Sequence, residues 1–505
     1  MTLPQRLLLL SALVIACLTT ACEVETEFLT GDTVQLRFSV DTVAFDTVFV
    51  ARGSATQRMK VYNDGEQPIK IDRVSVEGRT GVSFIFNIDG TPGPEARDIV
   101  IWGEDSIFLF VEVEVDPTEP VNTSPFIAED RLVFETGDVQ EDLVLLAFGQ
   151  NANYINGFRR GEFGAINVMN CGGDGFFTLD TELPTVIYGS LTVDECILRA
   201  LPGTKIYFHG GVQRNDQFAG TGFFNDGLIF TTATGAVQFL GTLEDPVILR
   251  TDRLEPRFDE DPAKYRGLVL GAGSQGNRLE HTQLLNSIVG ITVDSAAEVT
   301  VENSVIAYSG GPAISAFQSE VTVRNSLFHD NFGNAVQFVK GGTLVMEHTT
   351  IANYGVDASA LVLTNFSCDE NNENCVFFRM SARVRNSVIS GSRGSELIFL
   401  DIFQGDEPSQ WNVLMNNSVV RTDQSFLDSQ DGIFANFYEN ICRDCHNLEF
   451  SEELFVSLEE DDYQLDSLSV ARDLGVFLPA LPTDKLGVGR DTGTPDAGAF
   501  ERVDQ

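Results

Sequence analysis

The stretch Thr300-Val301-Glu302-Asn303-Ser304-Val305-Ile306 decides the fold, because similar segments recur before and after it. The copies are Arg278–Leu284, Thr322–Phe328, Val345–Ile351, Val384–Ile389 and Met415–Val420. Successive Asn or His positions, from His281 through Asn303 and Asn325 to His348, are 22, 22 and 23 residues apart. Each of the four segments from Arg278–Leu284 to Val345–Ile351 is followed by a polar gap that contains glycine. A second short apolar alternation comes after each gap. The stretch is therefore one unit of a repeat.

A repeat of this length, built from short β-type alternations, indicates a solenoid whose coils stack on one continuous core. Helical repeats would show a 3.6-residue periodicity, which these segments lack. The period fits one turn of a right-handed single-stranded parallel β-helix, whose strands pair with the coils above and below at about 4.8 Å. We expect an all-β fold class in which an N-terminal immunoglobulin-like β-sandwich precedes a solenoid of about 11 to 13 coils.

The Asn or His and the Ser or Thr after it occupy the same slot in each copy. We expect this pair to form a bend at the same angle in every coil, where short polar side chains bond along the stack or satisfy the backbone of the bend. A row of ligand-binding residues is the alternative. His281 and His348 share the slot with the asparagines, which favours a structural role over a catalytic one.

The first 21 residues have the pattern of a secretory signal peptide, with the basic residue Arg6 and an apolar run from Leu7 to Leu18. The run is too short to span a bilayer as a mature helix. The sequence Leu18-Thr19-Thr20-Ala21-Cys22 resembles a bacterial lipobox, which implies cleavage before Cys22 and lipidation of its thiol. The acidic residues that follow resemble those of Bacteroidetes-type lipoproteins, in which they accompany export to the outer face.

These resemblances predict a lipid-anchored, surface-exposed protein of the outer membrane, with residues 22–30 as a linker after the lipidated Cys22. A plain secreted protein is the alternative. Cys17 is a rival lipidation site, but the apolar run ahead of it is short.

Acidic residues outnumber basic residues by 74 to 33, which gives a formal net charge of -41. Such a surface repels nucleic acid and anionic lipid, so neither is expected as a partner. It also repels polyuronate and sulfated glycans unless a divalent cation bridges the charges. The hydrophobic fraction of 43% is ample for a core, and 505 residues suggest more than one domain.

Six cysteines remain beyond Cys17 and Cys22, an even number that suits an oxidising compartment. Their spacing suggests three disulfides, which join Cys171 to Cys196, Cys368 to Cys375 and Cys442 to Cys445. Zinc is the alternative for the segment 442–446, but no second Cys pair accompanies it. Calcium in the acidic loop between Cys368 and Cys375 is a further alternative. We predict no cofactor and no bound metal.

Residues 31–150 contain short β-type alternations separated by turn signals such as Asn63-Asp64-Gly65. About seven to nine strands of this kind suit an immunoglobulin-like β-sandwich. The segment Val61–Ile71 resembles a hairpin of the sandwich domains related to major sperm protein. That resemblance implies a spacer or adhesion module.

We expect the β-helix to extend from residue 151 to residue 478. The sequence Asp462-Tyr463-Gln464-Leu465 and the segments Asp484–Arg490 and Pro495–Glu501 resemble the ending of secreted pectate-lyase-like β-helix proteins. We expect residues 479–505 to form a tail that caps the last coil, whose open strands would otherwise pair with another molecule.

The resemblance to pectate lyases and polygalacturonases implies an enzyme hypothesis, a polysaccharide lyase or a glycoside hydrolase. A hydrolase of this kind needs carboxylates as acid and base on neighbouring coils. The segment Phe208-His209-Gly210-Gly211 has no Asp pair ahead of it, and Asp461-Asp462 lies near the end of the chain. A lyase needs a Lys or Arg base beside calcium-binding acids, and lysine is scarce in the solenoid. No catalytic residue can be carried over from these families.

Two long insertions contain candidate ligand-binding residues. The candidates in the first insertion, Gln213–Asp226, are Arg214, Asp216 and Asp226, and those in the second, Thr251–Tyr265, are Asp252, Arg253 and Tyr265. If both insertions leave the same bend of successive coils, they form a wall over one face, where insertions on solenoids often carry binding. Mixed charges and aromatic residues suit sugar binding. Solvated loops that shield the flank are the alternative.

We therefore predict a monomeric cell-surface lipoprotein whose β-helix binds glycans as a non-catalytic module. A polysaccharide lyase or glycoside hydrolase and a structural adhesin or envelope scaffold are the alternatives. A hydrolase predicts a groove with acids about 5 to 9.5 Å apart. A binding module predicts exposed aromatic side chains without that geometry, and a scaffold predicts neither.

Overall fold

The computed structural model describes most of the chain, which divides into two units, Met1–Asn151 and Ala152–Gln505. The described residues are 27–49, 56–78, 82–115, 126–157, 159–161, 164–214, 223–369, 374–401, 407, 409–428 and 436–503. The signal peptide and Cys22 lie outside them, so lipidation stays a prediction. Within the described ranges, no helix is both long and apolar enough to cross a membrane.

The first unit contains two five-stranded sheets with a shared apolar core. Sandwich sheet A contains, in spatial order, β1 (Arg37–Phe38), β3 (Gln57–Asn63), β8 (Asp105–Val115), β5 (Val82–Ile88) and β6 (Thr91–Pro92). Sandwich sheet B contains β2 (Thr42–Phe49), β10 (Val139–Gln150), β9 (Phe126–Thr136), β4 (Ile69–Val76) and β7 (Glu95–Ile101). The pairing is antiparallel except between β2 and β10. The expected N-terminal β-sheets are present, and their immunoglobulin-like class stays a prediction.

The second unit is a solenoid of three stacked sheets, each of which takes one strand from almost every coil. Sheet I contains β11 (Asn153–Asn156), β15 (Thr185–Tyr188), β18 (Lys205–His209), β23 (Val247–Thr251), β26 (Thr282–Leu285), β29 (Val305–Ala307), β32 (Leu327–His329), β35 (Thr350–Asn353), β40 (Val388–Gly391), β43 (Val419–Val420) and β45 (His446–Asn447). Sheet II contains β12 (Arg159–Gly161), β13 (Gly164–Met169), β16 (Ser190–Val193), β21 (Leu228–Thr231), β24 (Gly267–Leu270), β27 (Ile291–Val293), β30 (Ile314–Ala316), β33 (Val336–Phe338), β36 (Leu361–Thr364) and β41 (Leu397–Leu400). Sheet III contains β14 (Phe176–Thr178), β17 (Ile197–Ala200), β22 (Ala236–Leu240), β25 (Asn277–Glu280), β28 (Glu298–Glu302), β31 (Ser319–Arg324), β34 (Gly342–Glu347), β39 (Met380–Arg385), β42 (Trp411–Asn416) and β44 (Cys442–Arg443).

Short elements interrupt the coils or follow them. Three hairpins are formed by β19 (Val212–Arg214) with β20 (Phe223–Asn225), β37 (Phe366–Ser367) with β38 (Val376–Phe377), and β46 (Phe455–Ser457) with β47 (Asp462–Leu465). The helices in the described part of the chain are α1 (Gln424–Asp428), α2 (Phe437–Asn440) and the 3-10 turns Gly31–Thr33 and Pro256–Phe258. Apart from β12 with β13, the strands of sheets I to III pair in parallel, so the predicted parallel β-helix is confirmed.

The interior of the coils is one apolar cluster that extends from Leu179 to Cys442. Alternate side chains of each strand point inward, as a pleated strand requires. In β28, for example, Val299 and Val301 are buried, while the residues between and beside them are half-buried. Because each coil is too small to bury its own apolar side chains, stability comes from stacking.

The bend between sheet III and sheet I is formed by a column of residues in the left-handed backbone region. The φ angles are +42° at His281, +50° at Asn303, +44° at Asn325, +47° at His348, +48° at Asn386 and +50° at Asn417. Asparagine tolerates this conformation better than most residues with a side chain. The Asn303 nitrogen donates to the Arg324 carbonyl oxygen at 3.0 Å, so each bend lies directly over the next. The asparagine repeat therefore follows from the backbone geometry of the bend.

The hydroxyl after each bend residue forms a second column beside the first. Ser304 Oγ accepts a hydrogen bond from the Thr282 nitrogen at 3.0 Å and donates to the Glu302 carbonyl oxygen at 2.7 Å. Ser387 Oγ likewise accepts from the Thr349 nitrogen at 3.2 Å and donates to its own coil. Each hydroxyl thus supplies the acceptor for a buried N–H of the coil before it.

The C-terminal segment, residues 455–503, lies along the flank of the solenoid instead of over its end. Three bend asparagines donate from Nδ2 to its carbonyl oxygens, Asn417 to Leu474 at 3.1 Å, Asn386 to Val476 at 2.7 Å and Asn325 to Thr483 at 2.9 Å. A second apolar cluster joins its residues Phe455, Leu465 and Ala499 to the outer side of sheet I at Leu327 and Val388. The expected position of the tail as a cap on the last coil is corrected, because its apolar residues find partners along sheet I.

The last coils of the core are covered by the two short helices. Phe426 of α1 and Phe437 of α2 pack edge to face at 5.6 Å, and each ring centroid lies 6.2 Å from that of Phe399. These rings continue the apolar stack of the interior beyond its last regular strands. The two helices α1 and α2 therefore carry the capping function that solenoid ends need.

The three predicted disulfides are confirmed, and they join Cys171 to Cys196, Cys368 to Cys375 and Cys442 to Cys445. Because both thiols of the segment 442–446 are used in a disulfide, they are not available as zinc ligands. Residues 370–373 of the acidic loop lie outside the described residues. Its flanking residue Asn374 donates to Asp369 at 2.8 Å.

Replacement of Ser387 tests the hydroxyl column. We expect Ser387→Ala to lower the free energy of unfolding by about 1–3 kcal/mol, because the buried Thr349 nitrogen loses its acceptor. Ser387→Thr keeps the hydroxyl, and threonine already occupies this slot at Thr282 and Thr349, so this control should unfold close to the parent. Thermal unfolding followed by circular dichroism measures the difference. Equal midpoints for Ser387→Ala and the parent would contradict a stabilising column.

Candidate functional site

The outer face of sheet I begins with a row of aromatic rings on its first three coils. The Tyr154 ring centroid lies 6.2 Å from that of Tyr188, and Tyr188 stacks on the His209 ring at 4.5 Å with an interplanar angle of 26°. Tyr188 and His209 are partners in the parallel register of β15 and β18. These three rings form what we call the aromatic column.

The pleat of the strands makes the column face outward. Ile187 and Phe208, which precede Tyr188 and His209, are buried in the interior cluster. The next residue of each strand therefore points to the other side of the sheet. The two tyrosines are half-buried, and the His209 side chain is 51% exposed, so the outer part of each ring is open to a ligand.

Asp252 extends the column by one coil. Its Oδ2 atom lies 2.7 Å from His209 Nδ1, and the carboxylate follows directly after β23. The carboxylate is 14% exposed, so most of its surface is covered while the ring beside it stays accessible. A carboxylate in this position orients the imidazole and offers acceptor oxygens at the edge of the ring surface.

The insertion that begins at Asp252 is an ordered wall beside the column. Arg253 pairs with Glu255 at 2.9 Å and stacks on the Phe258 ring at 4.1 Å. Arg250 of β23 reaches Asp259 at 2.8 Å. The charges of this loop thus form pairs within the loop and with the coil beneath it.

Asn286, which follows β26 on the next coil, binds the backbone of the same insertion. Its Nδ2 atom donates to the Asp259 carbonyl oxygen at 2.8 Å and to the Asp261 carbonyl oxygen at 3.0 Å. The hairpin of β19 and β20 leaves the same bend one coil earlier, and Asn225 Nδ2 donates to the Lys264 carbonyl oxygen at 3.0 Å. The described parts of the two insertions therefore stack at one corner.

The structure separates the six candidate residues into groups with different positions. Asp252 belongs to the site, and Arg253 supports the wall. Asp226 is 3% exposed and accepts the Gly211 nitrogen at 3.0 Å, so it closes the base of the hairpin. The position of Tyr265 corrects the prediction, because it is fully buried and stacks on Phe208 at 4.2 Å. Asp216 and the side chain of Arg214 lie outside the described residues.

A second polar cluster lies further along the same corner, where β46 and β47 meet the coils. Tyr308 donates to Asp461 Oδ2 at 2.5 Å, and Tyr463 donates to Asp330 Oδ2 at 2.8 Å. His329 Nδ1 lies 2.8 Å from the same Asp330 oxygen. We call these five residues the acid–phenol cluster.

The cluster holds two carboxylates close together in a half-buried position. Burial alone raises the pKa of Asp330, but hydrogen bonds from His329 and Tyr463 outweigh it and hold the pKa below its usual value. Burial and the bond to Asp461 raise the pKa of Tyr308 above its usual range. The phenols therefore stay protonated donors and the Asp330 carboxylate stays ionised at neutral pH.

The acid–phenol cluster is the one group in the described residues with the spacing of a metal site. One ligand atom each of His329, Asp330 and Asp461 lie within 4.8 Å of one another. Two neighbouring carboxylates are also what a glycosidase uses as acid and base or nucleophile. However, the two phenol hydroxyls already donate to three of the four carboxylate oxygens, and Tyr463 is 3% exposed. A substrate would have to displace both rings, so this geometry favours a tie between the C-terminal hairpin and the coils.

Sequence reasoning missed most of these residues. Tyr154, Tyr188 and His209 are separated by intervals of 34 and 21 residues, so no regular period connects them. The signal for Tyr463 was present in the Asp-Tyr-x-Leu resemblance, but that resemblance does not indicate its partners. Asp330 and Asp461 are 131 positions apart, and only the path of the C-terminal segment brings them together.

Comparisons with known proteins agree with this fold. A family model described as a right handed beta helix region matches residues 267–401. No curated protein matches the chain. Together with the stacked parallel sheets, the match shows that the second unit contains a right-handed parallel β-helix, as the repeat predicts.

Solved structures with some similarity include glycoside hydrolases. One is the catalytic unit of a thermostable GH87 alpha-1,3-glucanase from Streptomyces thermodiastaticus strain HF3-3, with 10% identity over 72% of this chain and 78% of that chain and a TM-score of 0.22. Another is the catalytic domain of a GH87 alpha-1,3-glucanase in complex with nigerose, with 11% identity over 74% and 81% and a TM-score of 0.22. A family 123 glycoside hydrolase from Clostridium perfringens has 7% identity and a TM-score of 0.16, and the chain spans 23% of its length. At these TM-scores we draw no conclusion about activity.

Replacement of Tyr463 tests the role of the acid–phenol cluster. Tyr463→Phe removes the donor to Asp330, so we expect amide hydrogen exchange in residues 455–465 to become about tenfold faster at pH 7. The pKa of Asp330 is lower in the folded state than the ordinary value of 3.8, so its ionised carboxylate stabilises the fold at pH values above 3.8. This contribution to stability disappears as the pH falls through the lowered pKa of the folded state. The difference between variant and parent should therefore shrink in acid.

Tyr438→Phe is the matched control, because its hydroxyl contacts the neutral Thr422 and lies on a different element. This variant should leave exchange in residues 455–465 unchanged at every pH. Unchanged exchange in Tyr463→Phe at pH 7 would contradict the tie between hairpin and coils.

Proposed function

We propose that the chain is a non-catalytic glycan-binding protein of the cell surface, and that the sugar binds on the aromatic column. The observation that carries the proposal is the row of half-exposed rings from Tyr154 to His209, which ends on the carboxylate of Asp252. Lipid attachment at Cys22 and display on the outer membrane are part of the same proposal and rest on the sequence of the leader.

The column has the two chemical properties that sugar binding requires. Exposed aromatic surface packs against the C–H groups of a pyranose ring, and the Tyr hydroxyls and the imidazole edge supply polar contacts beside it. The spacing of Tyr188 and His209 follows the spacing of the coils, so the rings form a continuous surface along the axis of the solenoid. An extended sugar chain is the ligand shape that such a surface fits.

The surroundings of the column favour recognition of hydroxyl groups. The Asp252 carboxylate accepts hydrogen bonds, and charged acceptors form stronger bonds than neutral ones. The paired charges of the insertion 252–265 keep this wall in place before a ligand arrives, which reduces the entropic cost of binding. Mixed charges without an excess of cations suit a neutral sugar at this site.

A glycoside hydrolase is the second candidate function, and the short distance between Asp330 and Asp461 is the observation that favours it. The phenol hydroxyls that donate to three of the four carboxylate oxygens weigh against it. In a hydrolase, these acids would cut the oligosaccharide that the column binds. Product analysis on the same oligosaccharides therefore distinguishes the two candidates.

A glycan array followed by calorimetry tests the proposal. With a neutral oligosaccharide selected on the array, we expect Tyr188→Ala and Asp252→Ala each to weaken binding about tenfold, which corresponds to about 1.4 kcal/mol. Gln283→Ala is the control, because Gln283 lies on the outer face of sheet I at β26, beyond the column. This variant should bind like the parent.

Two results would contradict glycan binding on the column. One is the absence of array binding by the parent protein. The other is equal affinity in the parent and in Tyr188→Ala. Shortened products that disappear in Asp461→Asn would establish the hydrolase instead.

A further inference from the structure

The insertion 252–265 covers the outer face of sheet I at the place where the aromatic column ends. It leaves β23 at Asp252, whose carboxylate contacts His209, and the chain returns to the coil at β24. Arg250 follows the buried Leu249 in β23, so it points to the outer face. Its side chain is 19% exposed and pairs with Asp259 of the insertion at 2.8 Å. The insertion therefore lies over the part of the sheet next to Asp252.

The insertion also covers the next coil at the corner between sheets I and II, where the column lies. β26 follows β23 in sheet I, and the two residues after it, Asn286 and Ser287, are fully buried. The Lys264 nitrogen donates to the Asn286 carbonyl oxygen at 2.8 Å. The Ala263 nitrogen donates to the Ser287 carbonyl oxygen at 3.2 Å. The returning half of the insertion thus closes this corner in the coil after Asp252.

The C-terminal hairpin covers the same corner in the two coils that follow. Tyr308 comes directly after β29, and Asp330 comes directly after β32. Tyr308 donates to Asp461, and Asp330 accepts from Tyr463. Beyond Asp252, the protein's own chain therefore occupies the corner, first with the insertion and then with the hairpin.

The part of the corner that carries the column is short. Tyr154, Tyr188, His209 and Asp252 lie in four successive strands of sheet I or directly follow them. Three steps between strands make about 14 Å, which is the length of about three sugar units in an extended chain. A glycan that follows the rings toward Asp252 meets the insertion after this distance, so its chain has to end there.

We propose that the aromatic column binds the end of a glycan chain, with the terminal sugar against the insertion 252–265. This inference rests on the proposed function and adds the part of the glycan that is recognised. A terminal sugar has one hydroxyl more than an internal sugar, because one linkage position is free, and the Asp252 carboxylate can accept a hydrogen bond from it. An internal stretch would have to continue through the insertion, so the insertion determines the specificity.

Glycans of two lengths test this inference on the intact protein. The neutral oligosaccharide selected on the array is prepared with three and with twelve units, and calorimetry measures affinity and stoichiometry. We expect one protein per glycan and equal affinity per mole of glycan, because each glycan has one such end. An internal site would find about ten positions on the twelve-unit glycan and bind it about tenfold more tightly per mole.

Removal of the insertion should abolish the selectivity for the end. In a variant in which two glycines replace residues 255–262, the twelve-unit glycan should bind about tenfold more tightly per mole than the three-unit glycan.

A milder variant loosens the insertion without shortening it. Asn286→Gly removes the amide that binds the Asp259 and Asp261 carbonyl oxygens, and glycine accepts the φ of +65° at this position. It should change the ratio of the two affinities about threefold in the same direction, because the insertion opens more often. Asn417→Gly is the matched control, because it removes a bend amide that binds Leu474 in the C-terminal segment. This control should leave the two affinities equal.

Three results would overturn the inference. If the parent prefers the twelve-unit glycan and Tyr188→Ala weakens binding of both, the column binds internal stretches and the proposed function stands. Equal affinities in the shortened variant would mean that the insertion does not determine the specificity, and Asn286→Gly decides this point if the shortened variant does not fold. Binding of neither glycan by the parent would remove the proposed function together with the inference.

Discussion

The structure depends on one recurring backbone conformation, the left-handed bend between sheet III and sheet I, and on the hydroxyl that follows it. The bend turns the chain through the same angle in every coil, and the hydroxyl gives the neighbouring coil's N–H an acceptor. If one bend moved by a single residue, the interior and exterior side chains of its coil would exchange places. The register of Asn303 over Asn325 therefore decides which side chains every other surface of the solenoid presents.

Register also divides the outer face of sheet I into two parts. In the later coils, outward residues such as Leu327 and Val419 are apolar, and the C-terminal segment covers them. In the first coils, the outward residues are Tyr154, Tyr188 and His209, which stay partly exposed. One sheet thus serves stability at one end and carries the candidate binding surface at the other.

The repeat could be predicted because its cause is local. The left-handed backbone of each bend favours Asn, and the buried N–H of the neighbouring coil needs a hydroxyl as acceptor. Both requirements recur at nearly constant spacing, so the sequence around Asn303 and Ser304 indicates the solenoid. Two of the disulfides followed from short spacings, and that of Cys171 with Cys196 followed from a spacing of about one coil. Tyr188 and His209 could not be found, because a tyrosine and a histidine on successive coils form no repeat of like residues, and Tyr154 lies 34 residues before Tyr188. The meeting of Asp330 with Asp461 depends on where the C-terminal segment packs, and no local pattern encodes that path.

The most direct test of the account is a pair of cysteine crosslinks across the stack. Thr300 and Thr322 are register partners on neighbouring coils, so at about 4.8 Å between strands a disulfide should form in Thr300→Cys/Thr322→Cys under mild oxidation. Val345 lies one coil further, about 9.6 Å from Thr300, so Thr300→Cys/Val345→Cys should stay reduced. Peptide mass spectrometry reads both outcomes. A crosslink in the second pair, or a first pair that stays reduced, would contradict the stacked register.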